Sequence, residues 1–179
     1  MTMHHIASSV ITGSSATYAC SFNNVPQTFQ HLQVRVYARG TQNSLSNFML
    51  MQYNADSSNT YYAEHHLVGN GSSVVSNQAT SQTYINIGNV TGNTALTNNF
   101  GVAIIDIQDY TSTTKHKVNK TLIGYDNNGS GEVQLSSGLY ANTASILPIT
   151  LLQLYMANAA VGTRVDLYGI TVNPVARGS

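Results

Sequence analysis

The most regular stretch of the chain is QHLQVRVYAR, residues 30–39, where Leu32, Val34, Val36 and Ala38 alternate with His31, Gln33, Arg35, Tyr37 and Arg39. A period of two predicts a half-buried strand with one apolar face. Nine further short β-rich runs lie along the chain: ATYACSF, NFMLMQY, NTYYAEHHLV, QTYINIGNV, FGVAIIDIQ, HKVNKTLIGY, GEVQLSSGLYA, SILPITLLQLYM and TRVDLYGITV. Between them lie turn-rich separators such as NNVPQ, NADSSN, GNGSS, TGNTALTNN and DNNGSG. Ten short strands with no helical period predict an antiparallel β-sandwich or barrel. Residues 1–14 read as a polar N-terminal arm and 15–179 as one domain, with no repeat and no linker dividing it.

Two runs, GVAIIDI and ITLLQLYM, are apolar on nearly every residue. A two-layer sandwich leaves one face of each sheet open, so these runs predict a strand with one face on the core and the other on a neighbouring subunit. The expected partner is therefore another copy of the chain.

Composition narrows the function classes. Charged residues are only 8% of the chain, against roughly 25% in an ordinary domain, and polarity comes mainly from Ser, Thr, Asn and Gln. Seven Lys and Arg balance seven Asp and Glu, which leaves no basic surface for a phosphate backbone, so nucleic acid is not an expected partner. Disorder is excluded by the 42% of hydrophobic residues falling in periodic runs. Cys20 is the single cysteine, so no disulfide closes within the chain, and its setting in TYACSF reads as a small core residue. The opening MTMHHIASSV lacks the pattern of a Sec signal, and no run approaches the roughly 18 apolar residues of a membrane helix. Synthesis in the cytoplasm and no membrane partner are the expectations.

The segment FNNVPQTFQHLQVRVYAR resembles the opening of a family of tailed-bacteriophage virion proteins. The matching positions are Phe22, Val25, Pro26, Thr28, Phe29, Leu32, Val34, Arg35, Ala38 and Arg39. A second similar block is MQYNADSSNTYYAEHHLVGNGS, and a third is LYGI, Leu167 to Ile170. Ala55 stands where the family tends to have Gly, and residues 90–130 lie outside the resemblance. The family implies an antiparallel jelly-roll-like β-sandwich that is a virion component, and its members often form the end of a longer tail protein. The assembly expected here is a homotrimer, with the major capsid protein or other virion proteins as partners. Within the virion, a capsid decoration or cement protein is expected, because the 179 residues hold no coiled coil or anchoring segment of the kind a fibre needs. The alternative is a tail-fibre or tail-spike domain that binds host carbohydrate.

Candidate chemistry is sparse. In AEHHL, His65 and His66 point to opposite faces of a strand and cannot chelate one ion, whereas Glu64 and His66 share a side. NADSSN offers Asn54, Asp56 and Ser58 at alternating positions but lacks the carboxylates of a calcium loop, and an Asx turn is the simpler reading. Asp106, Asp109, Glu132 and Asp166 show no spacing that makes a hydrolytic pair, and a buried Asp106 would need a cation, with Arg35, Arg39 or Arg164 as candidates. No catalytic residue, metal or cofactor is expected. Arg35 and Arg39, about 13 Å apart on one strand face, are expected to reach carboxylates on a neighbour, with Tyr37, His31, His65 and His66 in the same interface. For carbohydrate binding the candidate rings are Tyr53, Tyr61, Tyr62 and Tyr84.

Overall fold

A computed structural model describes residues 1–13 and 17–172, apart from the side chains of 17–19. The described residues form twelve strands: β1 (Thr2–Val10), β2 (Thr17–Asn23), β3 (His31–Ala38), β4 (Ser46–Tyr53), β5 (Tyr62–Gly69), β6 (Val74–Gln82), β7 (Ile85–Thr91), β8 (Gly101–Ile107), β9 (Lys117–Asp126), β10 (Gly131–Tyr140), β11 (Leu151–Ala157) and β12 (Arg164–Thr171). They build two antiparallel sheets, an eight-stranded one in the order β1-β12-β3-β8-β9-β10-β5-β6 and a four-stranded one in the order β2-β11-β4-β7. The sheets pack as a β-sandwich, as the alternating runs predict.

The apolar alternate positions of the strands meet between the layers. Leu32, Val34 and Val36 of β3, Ile105 and Ile107 of β8, and Val165 and Leu167 of β12 oppose Met49 and Met51 of β4, Ile85 and Ile87 of β7, and Leu152 and Leu154 of β11. Cys20 is part of this core, as its setting suggests. The side chain of Tyr18 and the arm boundary at residues 14–15 lie outside what is described.

Two strands have no counterpart in the sequence reading. Residues 2–10 are an edge strand rather than a free arm, paired with β12 from Thr2↔Thr171 to Val10↔Arg164. β6 pairs with β5 at the opposite edge of the same sheet. Both are mostly exposed along their length, so neither shows an alternation of buried and exposed positions. Backbone pairing holds them, and a period-two search is blind to that.

The large sheet is twice as wide as the small one. Four strands of the large sheet, β1, β12, β3 and β8, equal the small sheet in number, and the hairpins β5–β6 and β9–β10 extend the large sheet past β8, with β9, β10 and β5 passing under β7. That extension carries the surface described next.

Candidate functional site

In the extension the usual polarity of a sandwich strand is reversed along part of its length, while Tyr62, Ile123 and Tyr140 still point into the core. The inward side chains of β9 and β10 include Lys117, Asn119, Thr121, Gln134 and Ser136, all buried, and β5 adds buried Glu64. The outward ones include Val118, Leu122, Val133, Leu135 and, on β5, Leu67, all exposed. The inner polarity has a local cause. β7 is an edge strand of the small sheet and leaves backbone groups without a strand partner. Side chains of the extension satisfy them: Glu64 accepts from the Asn86 amide, Gln134 Oε1 accepts from the Asn89 amide at 3.2 Å, and Ser136 Oγ donates to the Ile87 carbonyl at 3.5 Å. Buried backbone groups require such partners, so Glu64, Gln134 and Ser136 are drawn inward and the aliphatic residues alternating with them on β5 and β10 face out. On β9, by contrast, Lys117 donates to the Ser112 and Lys115 carbonyls, and Asn119 bonds to Tyr53 and Thr121.

The outward residues form an ordered strip. Strand register places Leu67, Leu135, Leu122 and Ile104 side by side on β5, β10, β9 and β8. Their exposures are 48%, 46%, 53% and 43%. The row on one side holds Gly69, Val133, Gly124 and Val102, and the row on the other holds His65, Ser137, Lys120 and Asp106. An open basin of about 550 Å³ lies over part of this face, lined among others by His65, Leu67, Gln78, Lys120, Leu135 and Ser137. Contiguous exposed apolar surface of this kind marks an interaction face. It also accounts for GVAIIDI: Val102 and Ile104 stand on the strip, and Ala103 and Ile105 in the core.

The expected interface residues divide. Arg39 is not on the outward face and reaches no neighbour. β3 ends at Ala38, and the Arg39 guanidinium turns inward to donate to the carbonyl oxygens of Leu96 at 2.6 Å, Asn99 at 2.7 Å, and Asn93 and Ala95 at 3.1 Å. Its residual exposure is 8%. The turn at residues 93–99 converges its carbonyls on one point, and a planar cation with five donors answers them. Arg35 is exposed as expected, donates to Gln33 Oε1 at 3.0 Å and lies 5.4 Å from the Tyr168 ring centroid. Tyr37 is half exposed and stacks on Phe100 at 4.6 Å. His31 is tied within the chain, its Nδ1 accepting the Asp109 amide at 3.0 Å. His65 faces out beside the strip. His66 faces in, 3.3 Å from Glu64 Oε1, so the pair shares a side as the strand geometry requires. The inward turn takes His66 off the outer face on which an interface contact was expected.

The four candidate sugar-binding tyrosines do not come together. Tyr53 and Tyr62 are fully buried and present no ring to a glycan, because both lie at inward positions of their strands. The Tyr62 hydroxyl donates to the Tyr53 carbonyl at 3.2 Å, and the Tyr62 ring stacks on Tyr140 at 4.9 Å. Burial pushes the hydroxyls of Tyr53 and Tyr62 well above the ordinary tyrosine range. Tyr61 packs edge-on against Tyr140, whereas Tyr84 packs edge-on against Tyr155 on the small sheet.

Each of the seven carboxylates has a structural partner. Asp56 accepts from Tyr140 at 2.6 Å and from the Ser58 amide at 3.0 Å, the Asx turn expected of NADSSN. Asp106 accepts from Gln33 at 2.8 Å and lies 3.8 Å from Lys120, so its cation is a lysine and none of the three arginines. The Lys115 ammonium, 2.7 Å from Asp109, holds that carboxyl below its usual range. Burial raises Asp166, but hydrogen bonds from Ser8 and Arg164 outweigh it and lower the carboxyl. Asp126 accepts the Gly129 amide at 2.9 Å, Glu132 accepts from Gln134 at 2.6 Å, and Glu64 is held by the Asn86 amide. Among the described residues no three His, Cys, Asp or Glu side chains gather as metal ligands, and no helix is long and apolar enough to cross a membrane.

No family model, curated protein or solved structure matches the chain. The apolar strip is the exposed surface feature that the sequence reading missed. Its one sequence signal is that HKVNKTLIGY and GEVQLSSGLYA alternate aliphatic residues largely with uncharged polar ones, which can be buried when bonded.

Proposed function

We propose that this chain is a non-enzymatic structural component of a tailed-phage virion, a decoration or cement protein that stabilises the head. The observation that carries the proposal is the reversed polarity of the extension: aliphatic residues face outward across β5, β10, β9 and β8 while polar ones are buried behind them. Such a face is stable when another protein surface covers it. The assignment of all seven carboxylates to structural hydrogen bonds supports a role without chemistry. The strand order, in which β1, β3, β8 and β12 share one sheet and β2, β4, β7 and β11 the other, supports the jelly-roll-like reading. A protein that binds the assembled shell and not its free subunits stabilises the shell by mass action.

The experiment is localisation. Gold-labelled antibody against the purified chain, applied to intact particles of the virus that encodes it, is expected to mark the head. Label confined to the tail, or absent from the particle, overturns the reading.

A second reading, carbohydrate recognition at a tail tip, draws on a basin of about 570 Å³ at the end of the large sheet. Its lining includes Phe100, Tyr125, Asn70, Asn99, Asp126 and Glu132, an aromatic and amide set suited to a sugar. A glycan array probed with the wild-type chain and Phe100→Ala tests it: binding lost on substitution supports it, and a silent array removes it.

A further inference from the structure

The rows of the apolar strip are complementary to their own image. A face that packs on a second copy of itself does so about a two-fold axis, and the registers here determine which axis. With the axis along the strands and midway between β9 and β10, β9 faces the partner's β10 and β8 faces the partner's β5. The facing rows then complement one another. Leu122 meets the partner's Leu135 and Ile104 meets the partner's Leu67, while Val133 meets the partner's Gly124 and Val102 the partner's Gly69. Each bulky side chain of the valine row lies opposite a glycine, the large-against-small alternation that lets two sheets close to about 10 Å. In the third row, Asp106 comes opposite the partner's His65, and Lys120 opposite the partner's Ser137, so each charge meets a polar group. An axis across the strands would instead set the Asp106–Lys120 pair against the valine row and desolvate it with no polar group across the interface.

We infer that the strip is the interface of a two-fold dimer, in which the extended sheets of two copies pack face to face about an axis running between β9 and β10. This inference rests on the reading of the strip as an assembly surface and names its occupant as a second copy of the chain. Twist sets the two sheets at roughly −30°. The fit is therefore tightest at Leu122 and Leu135 and loosens toward β3 and β6. The arrangement leaves the small sheet and the far edge at β1 free for other contacts.

The test combines association with proximity. Leu122→Lys is expected to weaken dimerisation by about tenfold or more in sedimentation equilibrium, since it buries two ammonium groups per dimer. Leu122 is already half exposed in the single chain, so circular dichroism is expected to be unchanged. For proximity, Ile104→Cys and Leu67→Cys chains are mixed with a short bis-maleimide. Those positions lie three strands apart within one chain, about 14 Å, but oppose each other across the interface. Cross-linking in the mixture and little in either variant alone supports the dimer. An association unchanged by Leu122→Lys, or Ile104→Cys linking to itself as readily as to Leu67→Cys, overturns it. Wild-type chain that stays single in solution but loses head attachment on Leu122→Lys also overturns the dimer, while leaving the virion reading intact. Loss of neither property overturns both.

Discussion

The Tyr140 hydroxyl donates to Asp56 Oδ2 at 2.6 Å, tying the end of β10 to the turn that follows β4. Around this bond lie the rings of Tyr53, Tyr61 and Tyr62, at 5.7, 6.4 and 4.9 Å from the Tyr140 ring. One buried knot thus joins the extension to the small sheet.

Tyr140→Phe removes the donor and leaves the ring. Hydrogen bonds to a charged group are worth about 1.5–3 kcal/mol, and Asn142 still donates to Asp56 at 3.2 Å. The expected loss is therefore about 1–2 kcal/mol, read as a lower urea midpoint with an unchanged slope.

The same knot predicts an alkaline transition. Burial and the Asp56 bond push Tyr140 up to about 12, and burial raises Tyr53 and Tyr62 as well. An unfolded tyrosine ionises near 10, so these groups stabilise the fold fully below about pH 10 and the contribution is lost as pH climbs toward 12. Urea midpoints measured across that window are expected to fall, with a shallower fall in Tyr140→Phe. A flat profile would contradict the burial of these hydroxyls.

Arg39 organises the turn at residues 93–99 through four carbonyl oxygens. Arg39→Ala strands those acceptors, at an expected cost of about 3 kcal/mol or more. Arg39→Lys keeps the charge but loses the fork, and should fall between the two. Protease cleavage within 93–99 is expected to rise in the same order. Equal stability for all three chains would contradict the assignment.

Gly88 sits at φ +118°, beside the register shift between Met49 and Leu50. A Cβ there would strike Ile123 and approach Gln134 Oε1 to 2.6 Å, in a backbone region nearly closed to other residues. Gly88→Ala is expected to destabilise by about 1–3 kcal/mol. Gly13→Ala, with nothing within 4 Å of the added carbon, is the near-neutral control.

Leu32, Val34 and Val36 made β3 legible because a core on one side and polar groups on the other leave a period-two trace. Nine more strands were legible as β-rich runs between turn residues, two of them apolar on nearly every residue, and nothing marked β1 and β6, whose side chains are mostly exposed. Arg39 shows the limit of extrapolating that period: it continues the alternation by count, yet the strand has ended and the backbone has turned toward the 93–99 carbonyls. Tyr53 and Tyr62 show the complementary limit, since an aromatic suits a sugar site and a core equally well.

The chain's own order of residues determined an all-β protein with a nearly uncharged surface, and a strand pattern sufficient to expect two antiparallel layers. Which face of β9 and β10 turns inward was decided only by tertiary structure. Alternation records two distinct faces but not their direction. Here the unpaired edge of β7 demanded hydrogen-bonding partners, drew Glu64, Gln134 and Ser136 toward it, and so left Leu67 and Leu135 on the outside, in register with Leu122 of β9.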